Sequence, residues 1–153
     1  TALLLIAPRV PTRGAEVLAL CPAGTLQRSA DPARLPGAQA SVYLADTIGE
    51  LGLWYRLAPV ALVGGSIAEV GGHNPHEPLA LGCAVLHGPN VWNFSESYAE
   101  LDEQGLSRPI GNADELAAAV RASWQTAQAR TPHRPRDPKI EAMVEQLDTL
   151  LQT

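Results

Sequence analysis

Residues 71 to 82, GGHNPHEPLALG, hold three glycines, two histidines, two prolines, an asparagine and a glutamate after an apolar run and into a short helix-like segment. Gly71 and Gly72 let the backbone take positive φ and approach a ligand closely, with N–H groups free to point at anionic oxygens. A helix starting just after them adds the partial positive charge of its N-terminus, so the loop suits a phosphate. A plain helix start is the competing reading, because Asn74, Pro75 and Glu77 match an N-cap, a first-turn proline and a capping acid. With Asn74 as cap, however, Pro78 falls at the fourth helical position, where its missing N–H forfeits a backbone bond. A start nearer Glu77 avoids that and leaves His73 and Asn74 in an irregular loop, facing a ligand.

Two other chemistries fit less well. His73, His76 and Glu77 are close in sequence, but H-x-x-H-E matches neither zinc signature of the H-E-x-x-H type, and no metal is expected. Ser66 follows two glycines without the G-x-S-x-G context of a nucleophile elbow.

Further polar residues stand at the ends of apolar runs. Arg9 closes the first such run, as a solvated charge or as a partner for an anion. Asn93 and Glu96, one helical turn apart in NFSE, read as an N-cap and its capping acid or as ligand contacts. Asp46, Thr47 and Glu50 repeat that ambiguity, since either of the first two suits the cap of the helix that follows.

The elements that must hold these residues alternate. Leu3 to Ala7, Val42 to Ala45, Val60 to Val63 and Ala84 to Leu86 read as short buried strands, with a weaker strand near Leu26 to Ser29. Helices are expected over about 13–21, 48–58, 77–81 and 94–104. Alternation of this kind implies βαβ units: an α/β, Rossmann-like parallel sheet with helices on both faces. The loop after VALVGG then lies at the carboxyl end of a parallel strand, the edge where open α/β sheets bind ligands. Asn112 with Glu115 marks another helix start, and Leu116, Val120 and Trp124 carry its stripe to about Ala129. A proline-rich linker follows, then a helical stripe from Ile140 to Leu151. That stripe either packs onto its own domain or invites dimerisation.

Composition narrows the partners. The 153 residues, 46% hydrophobic, suffice for one compact domain. The net charge is −5, and all but one of the 11 basic residues are scattered arginines, which argues against nucleic acid or an anionic membrane as partner. Cys21 and Cys83 are isolated and read as reduced thiols. Arg56 and Pro59 interrupt the longest apolar stretch, so no bilayer span is expected and the chain reads as soluble. The opening TALLLIAPR lacks an initiator methionine and reads as the start of a fragment.

DTIGELGLWYRLAPVALVGGS, VGGHNPHEPLALG and GPNVWNFSE, in that order, resemble the C-terminal half of the bacterial 3-deoxy-D-manno-octulosonic acid (Kdo) transferases. The similarity runs from about Leu3, in LLLIAPR, to about Ala129 and departs from the family pattern at Val10, His76 and Asn90. It implies the C-terminal half of a GT-B glycosyltransferase, with residues 1–130 as the CMP-Kdo binding domain and 131–153 as linker and C-terminal helix. The N-terminal acceptor domain would be absent from this chain.

By that resemblance Glu77 would accept from the ribose hydroxyls. Ser66, Gly71, Gly72, His73 and Asn74 would line phosphate or sugar, and Arg9 would pair with phosphate or the Kdo carboxylate. Asn93 and Glu96, and more remotely Asp46, Thr47 and Glu50, would border donor or acceptor.

The family transfers Kdo from CMP-Kdo to a lipid A precursor in lipopolysaccharide synthesis, without a cofactor, at the cytoplasmic face of the inner membrane. Its catalytic base is a glutamate of the N-terminal domain, so no catalytic residue is expected here and the chain alone should be inactive. A UDP-sugar transferase or epimerase of the same fold, or a non-catalytic nucleotide-binding module, remains the alternative.

Overall fold

The computed structural model describes residues 2–37 and 39–129; the linker and the helix expected over 140–151 lie outside the described residues. The chain divides between Trp54 and Tyr55 into two compact units.

The first unit holds β1 (Leu4–Ile6), a 3-10 turn at Pro11–Arg13 leading into α1 (Gly14–Leu18), β2 (Leu26–Gln27) and β3 (Val42–Leu44). The strands are parallel in the order β1-β3-β2, with Leu5 and Leu26 both in register with Tyr43. The apolar runs supply the core: Tyr43, Ala45 and Trp54 are buried, with Leu3, Leu5 and Leu26 packed against them. The Tyr43 and Trp54 rings lie 5.6 Å apart, a tilted pair within the favourable range for aromatic contacts. Trp54 comes from α2 (Leu51–Leu57), the helix in which the division falls.

The second unit holds β4 (Val60–Leu62), α3 (His76–Ala80), β5 (Ala84–His87), α4 (Ser95–Glu103), β6 (Ser107–Pro109) and α5 (Ala113–Ala129). Its strands are again all parallel, in the order β4-β5-β6. Successive strand residues point to opposite faces, and β5 demonstrates it. Val85 packs with Val63 and with Tyr98 of α4, whereas Leu86 packs with Ile110 and with Ala119 of α5. This sheet therefore has helices on both faces, as the alternating pattern requires.

Local signals account for the ends. Asn112 Oδ1 accepts from the Glu115 N–H at 2.9 Å, and the Glu115 carboxylate reaches back to the Gly111 N–H at 2.7 Å, so the expected box starts α5. Cys83 is buried, and its thiol donates to the carbonyls of Tyr55 and Ala58. Burial pushes that thiol up to about 11, away from reactivity at neutral pH. No helix among the described residues is long and apolar enough to cross a membrane.

Candidate functional site

Two loops leave the carboxyl edge of the second sheet, residues 63–75 after β4 and 88–94 after β5, and hydrogen bonds bind them into one body. Ser66 Oγ donates to the Val63 carbonyl at 2.6 Å and accepts from the Gly88 N–H at 2.8 Å. The Asn90 N–H donates to the Ser66 carbonyl, and Asn90 Nδ2 donates to the Ile67 carbonyl. Farther along, the Asn93 N–H donates to the Gly71 carbonyl and Asn93 Nδ2 to the Val70 carbonyl. Buried backbone groups away from regular structure need such partners. Here each loop supplies them to the other.

The glycines answer to the same packing. Gly71 has φ 97°, and a Cβ there would sit 2.4 Å from Asn93 Nδ2 and 2.5 Å from Trp92 Nε1. Gly88 has no left-handed φ, yet a Cβ on it would meet the Ser66 carbonyl oxygen at 2.2 Å. The close approach expected between Gly71, Gly72 and a ligand is thus made to the chain itself. The Gly72 N–H is also already used, donating to the Gly65 carbonyl at 2.8 Å, which corrects its assignment as a phosphate donor.

Helix α3 begins at His76, with Pro78 in its first turn, as the position of that proline demands. Asn74 Oδ1 accepts from the His76 N–H at 2.9 Å, an Asx turn that aims the chain into the helix. Glu77 lies in the first turn of α3, exposed. Its carboxylate is close enough to Tyr55 to help raise that phenol, though burial is the larger cause. His73 is half-buried with its ring against Gly65, and its carbonyl accepts from the Tyr98 hydroxyl at 2.9 Å.

Three other expectations change. Ser66 is wholly buried, with its hydroxyl committed to backbone, so its side chain ties the loops rather than lining a ligand. Asn93 does not cap α4: it sits within the 3-10 turn Trp92–Phe94, and the cap position falls to Phe94, with no side-chain cap bond. Glu96 follows in the first turn of α4 with its carboxylate exposed, so the box proposed for this pair is not formed.

The remaining candidates belong to the first unit. Arg9 is exposed in the turn after β1. Asp46 is 4% exposed and neither caps α2 nor faces outward. Its oxygens accept from Gln27 Nε2 and Ser29 Oγ, each at 2.7 Å, and from the Ser29 N–H at 2.9 Å. Burial works to raise this carboxyl, but those hydrogen bonds prevail and hold it below the ordinary carboxylate range. Glu50 takes a two-pronged ion pair from Arg28, at 2.9 and 2.5 Å, and a hydrogen bond from the Thr47 hydroxyl. The Arg28 bond, with help from Thr47, draws Glu50 down to about 2. Asp46 and Glu50 thus each spend their carboxylates on partners within the first unit, Thr47 among those of Glu50.

Tyr98 and His87 are the residues that sequence reasoning missed. Tyr98 is buried beneath the loops, its ring 4.3 Å from that of His87, and burial above all pushes its hydroxyl up to about 12. It therefore keeps its proton for the His73 carbonyl. The expected helix over 94–104 carries Tyr98, but nothing local pointed its hydroxyl at residue 73.

The resulting edge offers the exposed carboxylates of Glu77 and Glu96, the polar group of Asn74 and the partly covered ring of His73, on a rigid paired-loop base. Such a base orients polar groups toward a small ligand without large reorganisation. Among the described residues no group of three or more His, Cys, Asp or Glu is arranged to hold a metal ion, so His73, His76 and Glu77 form no such cluster.

No protein-family model matches the chain. Its sequence is 39% identical over 132 residues to the 3-deoxy-D-manno-octulosonic acid transferase of Haemophilus influenzae, covering 84% of this chain and 30% of that protein. It is 42% identical over 98 residues to the transferase of Bordetella pertussis, covering 62% of this chain and 23% of that protein. The chain thus spans less than a third of the length of these curated relatives. Among solved structures it is similar to the C-terminal CMP-Kdo binding domain of WaaA from Acinetobacter baumannii, with a TM-score of 0.76 and 31% identity over 99% of this chain and 74% of that one. Sequence and fold agree along nearly the whole chain, which belongs to the 3-deoxy-D-manno-octulosonic acid (Kdo) transferase family.

Proposed function

We propose that this chain is the donor-binding domain of a Kdo transferase, holding CMP-Kdo while Kdo passes to a lipid A precursor in lipopolysaccharide synthesis. The observation that carries the proposal is the similarity, over 99% of the chain, to a domain named for CMP-Kdo binding. The geometry supports it through Glu77, an exposed carboxylate in the first turn of the helix that follows the loop at the carboxyl edge of a parallel sheet.

In this reading Glu77 accepts from the two ribose hydroxyls, since a carboxylate has lone pairs for both. His73 and Asn74 border the phosphate or sugar, and Glu96 and Asn93 border donor or acceptor; a role for Arg9, in the first unit, with phosphate or the Kdo carboxylate rests on the family resemblance alone. Transfer breaks the bond between the anomeric carbon and the phosphate oxygen, so CMP departs with the electron pair. The acceptor hydroxyl oxygen bonds to the same carbon from the opposite side and gives its proton to a base. Stabilising the departing phosphate is the part assigned to this chain; no metal is included. The base is assigned to a domain outside this sequence, so the chain alone binds donor and does not catalyse. In the full-length enzyme the site would work at the cytoplasmic face of the inner membrane.

Calorimetric titration of this chain with CMP, UMP and UDP, repeated for Glu77→Ala, tests the reading. Binding selective for CMP and abolished in the variant is expected. A preference for UDP would favour a UDP-sugar enzyme of the same fold, and CMP binding that survives the substitution would remove Glu77 from the site.

A further inference from the structure

Three large apolar side chains stand more than half exposed on the paired loops: Ile67 at 54%, and Val70 and Trp92 at 55% each. Trp92 is the largest, and its surroundings hold it there. Its neighbours Val91 and Phe94 pack against the cluster of Val63, Val85 and Tyr98, and the Phe94 N–H closes the turn on the Val91 carbonyl at 2.9 Å. One residue on, the Asn93 N–H donates to the Gly71 carbonyl at 2.9 Å and Asn93 Nδ2 to the Val70 carbonyl at 3.1 Å. The indole itself lies against Gly71, its Nε1 only 2.5 Å from where a Cβ would stand. The backbone of Trp92 is thus tied down on both sides while its ring stays open. A ligand meeting that ring would order little that is not already ordered.

We propose that Trp92 is a sugar-stacking residue of the donor edge: its indole takes the C–H face of the Kdo ring and so favours CMP-Kdo over CMP. The inference deepens the donor-domain reading above and rests on it.

The chemistry of the neighbourhood selects the sugar among the parts of the donor. Apolar surface gives nothing to a phosphate or a carboxylate, which need cations or N–H donors. It suits a ring with C–H groups on its face and hydroxyls round its edge, because the indole face is electron-rich and C–H hydrogens are weakly positive. The exposed amide of Asn93 follows Trp92 directly, and the exposed carboxylate of Glu96 comes four residues after it. Both are group types that take up hydroxyls at such an edge. The order along the loop agrees. In the donor reading Glu77 holds the ribose and Asn74 and His73 border the phosphate or sugar, and the covalent order of the donor is ribose, phosphate, Kdo. Gly71, with the indole laid on it, is two residues before His73, a span of at most about 7 Å. The indole thus stands at the sugar end of that order, with the cytosine at the other.

Calorimetric titration of this chain, of Trp92→Ala and of Trp92→Phe with CMP and with CMP-Kdo reads the claim as a ratio of affinities. The parent should bind CMP-Kdo more tightly than CMP. That preference should fall about tenfold in Trp92→Ala, the worth of one aromatic contact, and Trp92→Phe should keep most of it. Tryptophan emission gives a second readout. Trp54 is 6% exposed and Trp124 is half-buried, which makes Trp92 the main target of acrylamide quenching. CMP-Kdo should shield it and CMP should not. A preference unchanged in Trp92→Ala would overturn the proposal. So would losses equal for both ligands in a variant that unfolds like the parent, which would put the indole under the base, and so would shielding by CMP as complete as by CMP-Kdo. A parent chain that binds neither ligand would overturn the donor reading itself, and this inference with it.

Discussion

The hydroxyl of Tyr98 donates to the carbonyl of His73 at 2.9 Å, so helix α4 holds the backbone of the loop that carries Asn74 and leads into Glu77. The bond joins residues 25 positions apart and reaches from the core cluster of the second unit to the loop after β4. Tyr98→Phe keeps the packing and removes the donor. The variant should lose about 1–2 kcal/mol of stability, measured as a lower denaturant midpoint. CMP should bind it less tightly, because the loop is released at one point. A midpoint unchanged from the parent would mean that water replaces the hydroxyl without cost.

Gly88 and Gly82 offer a controlled contrast. A Cβ at position 88 would fall 2.2 Å from a backbone oxygen of Ser66, whereas one at position 82 would meet nothing within 4 Å. Gly88→Ala should therefore cost about 3 kcal/mol or more and loosen both loops. Gly82→Ala bears only the strain of φ 94°, roughly 1–2 kcal/mol. Thermal denaturation of the two variants side by side checks the ranking.

Asp46 should act on folding and not on ligand. Asp46→Asn turns an acceptor of three hydrogen bonds into a group that must present an N–H toward Gln27 or Ser29. A loss of about 2–4 kcal/mol is expected, with CMP affinity in the folded chain unchanged. Weaker CMP binding by a fully folded variant would return Asp46 to the ligand border.

Acid should weaken the first unit through Glu50. Its carboxyl titrates near 2 in the folded chain against an ordinary value of 4.5, held down first by the Arg28 bond. The stabilisation is therefore complete above about 4.5 and is lost as pH falls toward about 2. Asp46, also held low, works in the same direction. Urea midpoints recorded down this range should fall more steeply for the parent than for Glu50→Gln, which has no such proton to gain. Parallel curves would show that the pair contributes nothing to stability.

Strong local signals made most of the elements legible. The runs at Val42, Val60 and Ala84 became strands β3, β4 and β5, and the Asn112–Glu115 start of α5 appeared where the box placed it. Strand β6 escaped because Ser107, Arg108 and Pro109 form no apolar run; it lies at the end of its sheet, where a proline is tolerated. The placement of β3 between β1 and β2 was equally hidden, since parallel pairing leaves no local trace of strand order.

What the sequence by itself determined is the α/β alternation, the loop at a strand's carboxyl edge and the family, because periodicity, turn residues and motif order are properties of neighbours along the chain. Only the tertiary structure decided which polar groups are spent internally. Ser66, Gly72, Asp46 and Glu50 look as ligand-ready in one dimension as Glu77 does, yet their partners come from segments seven to 22 residues away. A hydrogen-bonding group has limited capacity, and folding determines whether the chain or a ligand fills it. Glu77 stays exposed in the first turn of a five-residue helix whose entry is set by an Asx turn made by Asn74.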